Sequence, residues 1–319
     1  MTKEKIQELT KLTGLKDITR LTGDASDRIF YRGLSSDNKS FIIMDYEKEL
    51  THTSSEFQVL RAYGLMKLYE IKIPKIFKVI PNAGLVIMQD IGDNTLLKII
   101  EEKQLSEYDL KKIYLNAMNE IIKIKNIPIR MITKIKGETF SKDKFKWEEN
   151  FFFKYYIKKY KNISLTSDQK KILKDFFKEL NKTVYASVGF TIHRDFHSRN
   201  LLHFNGKVFN VDFQDLRIGP EHYDIASLIW DSYVDIDDEL KDYIIRRYID
   251  FSGKEYETDF NLILYTALQR NLKAIATFCY LAFEKGKTKY EQYIPLTLKH
   301  FKLNFSQLKL NNEILDIIL

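Results

Sequence analysis

The chain has 319 residues, 44% apolar and 30% charged, a composition that excludes a disordered or low-complexity protein and allows two lobes with a large core. Its one cysteine, Cys279, sits in an apolar run and reads as a packed thiol; it excludes an internal disulfide framework, so a reducing, cytoplasmic setting is expected. The net charge of +7 comes from lysines spread over polar helix faces, densest at Lys158-Lys159-Tyr160-Lys161, which reads as solvated surface and not as a nucleic-acid footprint.

A positive field still favours anionic ligands such as a nucleotide. No apolar run is long enough for a membrane span, and the polar first ten residues do not form a signal peptide. Neither a membrane nor a nucleic-acid partner is expected, and the chain is read as a monomer.

In chain order, Ile6, Leu9 and Leu12 predict a helix over 4–13 that ends before Gly14. Strands are expected at 18–22, 28–32 and 41–45. The turn Gly23-Asp24-Ala25-Ser26-Asp27 lies between the first two, where backbone N–H groups could meet phosphate oxygens. It carries one glycine instead of a G-x-G-x-x-G, so taken alone it is an ordinary hairpin turn. A helix is expected over 54–63 with Gly64 as its stop, then strands 76–80 and 85–89 around Pro81-Asn82-Ala83-Gly84. After Gly92, helical periods dominate at 105–125, 142–159 and 167–187, and helices resume from Asp224. The fold class is therefore α+β: a small mixed lobe, 1–91, ahead of a helix-rich lobe, 92–319.

The segment from His193 to Asp215 interrupts those helices. Asn205-Gly206, flanked by apolar runs, is the strongest two-residue hairpin signal. Pairing outward puts Phe204 opposite Lys207 and Leu201 opposite Asn210, so Asn200 faces Val211 and lies diagonal to Asp212, roughly 7 Å away. Asn200 and Asp212 are hard oxygen donors of the kind magnesium takes alongside phosphate and water. Asp195, five residues before Asn200, could accept the proton of an attacking hydroxyl. His-x-Asp-x4-Asn, a hairpin and Asp-Phe is the layout of a kinase catalytic loop and its metal-binding aspartate. Two other readings stay open: His193, Asp195 and His197 as a transition-metal cluster on one strand face, or Asp195 as a turn cap beside packed histidines.

These residues carry a resemblance. Leu-Thr-Gly-Asp-Ala-Ser-Asp-Arg (21–28), Ile-Met-Asp (43–45), His-Arg-Asp-Phe-His-Ser-Arg-Asn-Leu (193–201), Val-Asp-Phe-Gln-Asp (211–215), Gly-Pro-Glu-His-Tyr-Asp-Ile-Ala-Ser-Leu (219–228) and Leu-Gln-Arg-Asn-Leu-Lys (268–273) resemble the aminoglycoside phosphotransferase and choline kinase-like superfamily. Within it they look most like the bacterial anomeric kinases of N-acetylmuramate and N-acetylglucosamine. The resemblance implies a bilobal kinase fold, ATP with Mg²⁺, and phosphate placed on the C1 hydroxyl of a small-molecule sugar in cell-wall recycling.

It also implies roles. Asp195 is the base, and Asn200 and Asp212 hold the metal. Gly23, Asp24, Ala25 and Ser26 cover the phosphates, and Met88, Gln89, Asp90 and Ile91 form the hinge that meets adenine through backbone groups. Asp224 supports the catalytic loop. Glu148 and Arg270 are candidates for sugar hydroxyls or a lactyl carboxylate, joined as substrate-site candidates by Arg199 and by Asp215, which could instead serve as a cap. Glu148 could equally be a plain exposed helix carboxylate. Met44 stands where a protein kinase has its third-strand lysine, so another cation, Arg28 or the metal alone, must partner the phosphates. The alternatives are an aminoglycoside- or choline-type kinase, for which the acidic run 231–239 could supply a pocket, and a non-catalytic nucleotide-binding module.

Overall fold

The first ninety residues build a sheet from short runs punctuated by turns. In the computed structural model, which describes residues 2–21, 28–51, 58–102 and 105–319, this part comprises α1 (Lys3–Thr13), β1 (Lys16–Arg20), β2 (Ile29–Leu34), β3 (Ser40–Asp45), α2 (Gln58–Leu68), β4 (Ile76–Ile80) and β5 (Leu85–Gln89). Then follow α3 (Leu96–Glu101), α4 (Glu107–Lys125), α5 (Ile129–Lys134), α6 (Lys142–Phe152) and α7 (Ser167–Tyr185). The chain continues through β6 (Val188–Ile192), β7 (Leu201–Phe204), β8 (Lys207–Asn210), β9 (Arg217–Pro220) and α8 (Tyr223–Ile229). It closes with α9 (Asp238–Ser252), α10 (Tyr256–Phe283), α11 (Ile294–Gln307) and α12 (Asn312–Ile318). No helix among the described residues is long and apolar enough to cross a membrane.

Residues 1–94 and 202–214 form one unit, and 95–201 with 215–319 form the other. The hairpin segment, expected in the larger lobe, thus groups with the smaller one. In the smaller unit Thr2 caps α1 by accepting the Lys5 amide, and Gly14, at φ 75°, ends the helix. The strands form an antiparallel sheet in the order β1-β2-β3-β5-β4. Leu9, Ile18, Tyr31, Ile43, Leu85 and Ile87 bury its inner face, each worth about 1.5–3 kcal/mol of transfer free energy when fully covered. Gly84 is required at its turn: φ is +66° and an added Cβ would lie 2.0 Å from the Lys48 carbonyl oxygen. Gly64 does not end α2, which runs on to Leu68 because Leu65 and Met66 are buried; a helical glycine costs only about 1 kcal/mol against alanine, less than that burial returns. Residues 54–57 lie outside the described part.

In the larger unit β6 and β9 pair antiparallel, and α6, α7, α10, α11 and α12 surround a core rich in aromatic rings, among them Phe152, Tyr156, Phe177, Phe301 and Phe305. The helix expected over 142–159 changes character midway: α6 ends at Phe152 and residues Phe153–Tyr160 wind as a π-helix. Lys158 and Lys159 on it are exposed as expected, while Lys161 turns back to the carbonyls of Ile317 and Ile318. Cys279 is buried and free, its thiol pushed up to about 12 by desolvation.

Candidate active site

The loop after β6 is fastened from behind by two buried carboxylates. Asp224, in the first turn of α8, accepts the amides of His193 at 2.6 Å and Arg194 at 2.9 Å. Asp231 accepts those of Ser198 at 2.7 Å and Tyr233 at 2.9 Å. Burial pushes Asp224 up to about 7, against the two amide donors that favour its ionised form. Arg194 takes φ +80°, a left-handed conformation that costs an ordinary residue about 1–2 kcal/mol and recurs at functional sites. Asn200 closes the loop, its Nδ2 donating to the Asp195 carbonyl at 2.9 Å. That bond occupies Nδ2 and leaves Oδ1 as the group that could hold a cation.

Asp195 is thereby held with about a quarter of its side chain exposed (26%), enough to be reached by a hydroxyl. Burial alone would raise its pKa, but Lys273, Arg194, His197 and His193 outweigh it and hold the carboxyl well below the usual range. Arg194 bonds Asp215 at 2.7 Å and lies 3.9 Å from Asp195. Asp215 thus fixes an arginine beside Asp195, and its carbonyl accepts from Arg217 Nε at 3.2 Å.

Glu148 is not the exposed carboxylate allowed for above. It is 4% exposed and accepts from Gln269 Nε2 at 2.6 Å, with Lys144 at 3.9 Å. Arg270 is also buried, and its Nη1 has no hydrogen-bond partner. Tyr223 links these groups: desolvation first, then Glu148, raises its hydroxyl pKa, while Arg270 opposes. Asp195, Arg194, Glu148, Arg270, Lys273 and Tyr223 are therefore one electrostatic cluster within the larger unit. Arg199 is engaged otherwise, its guanidinium 4.9 Å from the Tyr233 ring and 5.8 Å from Tyr290.

In the smaller unit, β7 and β8 are joined by Asn205 and Gly206, both with positive φ (49° and 71°), as a two-residue hairpin of this hand requires. Beyond it Asp212 also takes positive φ, +60°. Arg28 Nη2 donates to Asp212 Oδ1 at 2.6 Å, Arg28 Nη1 to Gln214 Oε1 at 3.0 Å, and Gln214 Nε2 to Asp212 Oδ1 at 2.9 Å. Arg28 Nη1 is 3.9 Å from the sulfur of Met44, buried on β3 where a lysine was looked for. A cation does stand beside that position, delivered by the start of β2. The loop Gly23, Asp24, Ala25 and Ser26 lies outside the described residues.

Along β5, Met88 pairs with Ile42 on one side and Ile76 on the other. The Asp90 carboxylate is occupied by Arg32, Ser40 and the Gly92 amide, so only its backbone is left for a ligand. Ile91, next to it, is buried.

Asn200 Oδ1 in the larger unit and the Asp212 carboxylate in the smaller one are each hard oxygen donors of the kind magnesium takes. No three His, Cys, Asp or Glu side chains gather as a metal cluster among the described residues, which leaves the His193, Asp195 and His197 reading without support. His193 instead packs edge-on to Phe196, and His197 lies against Tyr233. Three carboxylates of the acidic run 231–239 are spent within the fold. Asp231 is bonded to amides, Asp235 to Lys241, Lys299 and His300, and Asp237 caps α9.

Sequence reasoning assigned no role to Lys273, Gln269 or Lys144. The available signal was a polar stripe on an otherwise apolar helix: 266, 269, 270, 273 and 277 share one face of α10.

A family model described as the phosphotransferase enzyme family matches residues 17–258, and the chain belongs to that family. It is a phosphotransferase with a protein-kinase-like α+β fold, acting on an alcohol group. Among curated relatives, the N-acetylmuramate/N-acetylglucosamine kinase of Neisseria meningitidis serogroup B is 24% identical, across 90% of this chain and 85% of its own. The kinase of the same name from Pseudomonas putida is 23% identical, across 87% and 80%. Among solved structures, the ADP-bound aminoglycoside phosphotransferase APH(2'')-Ib superposes with a TM-score of 0.62 at 16% identity, covering 94% of this chain and 99% of that one. A choline/ethanolamine kinase family protein from Mesorhizobium loti gives 0.65 at 12%, covering 99% and 98%.

Proposed function

We propose that this protein transfers the γ-phosphoryl group of ATP to the anomeric C1 hydroxyl of an N-acetylated amino sugar, N-acetylmuramate or N-acetylglucosamine, in cell-wall sugar recycling. The observation that carries the reading is Asp195, an ionised, partly exposed carboxylate on a loop braced by Asp224 and Asp231. The names of the relatives support the acceptor class. The engagement of Asp231, Asp235 and Asp237 within the fold favours it over a cationic acceptor, which would need unspent carboxylates.

Asp195 orients the C1 hydroxyl and accepts its proton as the sugar oxygen bonds to the γ-phosphorus. The bond from that phosphorus to the β–γ bridging oxygen breaks, and ADP leaves. An anomeric hydroxyl is more acidic than an ordinary alcohol, so even a weakly basic carboxylate suffices. Asn200 Oδ1 and the Asp212 carboxylate would hold magnesium, which when bound neutralises phosphate charge. Arg28 would move from Asp212 toward the phosphates, supplying the cation that Met44 does not. The hinge Met88–Ile91 would present backbone groups to adenine, and Glu148 and Arg270 would meet the sugar.

The test is magnesium-dependent ADP release with N-acetylmuramate, N-acetylglucosamine, kanamycin and choline, with the phosphorylated position read by ³¹P and ¹³C NMR. Turnover of an amino sugar with phosphate on C1 is expected. Turnover of kanamycin or choline alone would replace the acceptor, and ATP binding without turnover of any would favour a non-catalytic module.

A further inference from the structure

Arg194 holds a backbone conformation, φ +80°, that an arginine adopts at a cost and a glycine would adopt freely. The conformation is enforced, because the Arg194 amide and the one before it are both given to buried Asp224. A side chain kept at such a position is kept for what it reaches. Nη1 reaches Asp215 Oδ2 at 2.7 Å and stops 3.9 Å from Asp195 Oδ2. Asp215 is itself anchored by buried Arg217 on β9, which donates from Nε to its carbonyl at 3.2 Å and places Nη2 3.8 Å from its Oδ1. The guanidinium is therefore held beside Asp195 without a hydrogen bond to it, and the Asp195 oxygens are not spent on the arginine. A guanidinium carries five N–H donors in a rigid plane. Asp215 engages Nη1, and among the described residues Nε and Nη2 have no partner. The side chain is 21% exposed, so a ligand can reach those donors.

We propose that Arg194 is a catalytic residue whose free guanidinium donors receive the transferring phosphoryl group, with Asp215 as the positioning residue that holds them beside Asp195. The inference rests on the reading of Asp195 as the base but not on the identity of the acceptor. An acceptor hydroxyl bonded to Asp195 lies about 2.6–3.2 Å from its oxygen, and the phosphorus it attacks lies about 3–3.5 Å further on. The phosphoryl oxygens thus fall in the shell around Asp195 where the guanidinium stands. As the acceptor oxygen bonds to that phosphorus and the bond to the β–γ bridging oxygen breaks, the proton passes to Asp195 and ADP leaves. Arg194 stays protonated throughout and exchanges neither proton nor electron. Its donors meet the charge spread over the equatorial oxygens of the transition state. A preorganised donor aimed at that charge lowers the barrier more than it tightens substrate binding.

The experiment is steady-state kinetics of Arg194→Gly, which removes the side chain but leaves a backbone that glycine holds without strain and an amide that Asp224 still accepts. ADP release from magnesium ATP is measured with N-acetylmuramate, with N-acetylglucosamine and with water alone as acceptor. For each acceptor that the native protein uses, kcat is expected to fall about 10²–10³-fold, the effect of losing one such donor. The KM for ATP should change less than about threefold. Guanidinium chloride, far below denaturing concentrations, should restore part of the lost kcat where urea at the same concentration does not. Asp215→Asn should lower kcat in the native background and change it less than about twofold in Arg194→Gly, because it works through the arginine. An unchanged kcat in Arg194→Gly would overturn the proposal. So would a loss that disappears as pH is raised, which would mean that Arg194 only keeps Asp195 ionised, or a loss confined to the KM of the sugar, which would mean that it reads the acceptor. Thermal unfolding checks the fold of each variant. If Arg194→Gly does not fold, Arg194→Lys, which keeps the charge but not the fork, takes its place: a lower kcat at unchanged KM supports the proposal and a native kcat overturns it. Failure of the amino-sugar reading shows separately, as native hydrolysis of ATP by water with no sugar turnover; absence of transfer to any acceptor by the native protein would overturn both.

Discussion

The Asp195 loop and the Asp212 turn, proposed to carry the base and a metal ligand, are built on opposite principles. Each has a non-glycine residue at positive φ, Arg194 at 80° and Asp212 at 60°. The Asp195 loop is pinned through its backbone, with the amides of His193, Arg194 and Ser198 given to two buried carboxylates, so the Asp195 carboxylate is not spent on holding it. The Asp212 turn is held through the reactive carboxylate itself, paired with Arg28 at 2.6 Å and bonded by Gln214. A base must keep one geometry through every turnover, and backbone bracing supplies that. A metal ligand must take up and release a cation with the nucleotide, and a partly exposed ion pair, worth about 0–1 kcal/mol, can be exchanged at little cost.

The largest effect should come from the base. Asp195→Asn keeps the shape and removes the proton acceptor, and kcat should fall at least ~10²-fold, the lower range for general-base removal. Steady-state kinetics with the amino sugar decides it, and an unchanged kcat would end the role of Asp195 and the contrast with it.

Next is the bracing. Asp224→Ala would leave the amides of His193 and Arg194 buried and unpaired, at a cost of about 1–3 kcal/mol each. Urea unfolding should show a loss of that size, and kcat should fall with it as the loop loses its geometry. Normal activity in a destabilised variant would show that the loop keeps its shape without Asp224.

Arg28 tests the other side. Arg28→Met should raise the KM for ATP about tenfold, one lost charge-assisted contact, while the apparent affinity for Mg²⁺ holds or improves because Asp212 no longer has a competitor. Magnesium titration of the initial rate reads both. A weaker magnesium response would mean that Arg28 organises Asp212 for the metal instead of competing with it.

Much of this contrast was legible in the sequence wherever a local signal decided the outcome. Strands 76–80 and 85–89 match the structure to the residue because Pro81-Asn82-Ala83-Gly84 isolates them, and Asn205-Gly206 placed the hairpin. Gly64 misled because the burial of Leu65 and Met66 overrides a weak local preference. The π-helix after Phe152 has no sequence signature, since it depends on packing among α7, α10 and the rings of Phe152 and Tyr156. Asp195 was visible through spacing, but the cations that keep it ionised come from segments as distant in sequence as Arg194 and Lys273, and no local pattern reports such a meeting. The burial of Glu148 is hidden for the same reason, because its partner Gln269 lies 121 positions away.

The acidic run 231–239 sharpens the contrast with the smallest effect, because Asp235 is tied neither to amides nor to the reaction. Burial would raise its pKa, but Lys299, His300 and Lys241 outweigh it and hold the carboxyl below the usual range. A depressed folded pKa means that the unfolded chain binds the proton more tightly, so the stability Asp235 contributes is present above the unfolded value of about 4 and is lost as pH falls from there through the lower folded value. The pairs are substantially exposed, Lys299 at 66% and Asp235 at 32%, so solvent screens them. Asp235→Asn should therefore lower Tm by only about 1–2 °C at pH 7, with the gap narrowing progressively as pH falls below about 5. Activity toward the amino sugar should not change. A fall in activity at pH 7, where the fold is intact, would mean that this run serves the acceptor after all, and would reopen the case for a cationic substrate that the spent carboxylates of Asp231, Asp235 and Asp237 argue against.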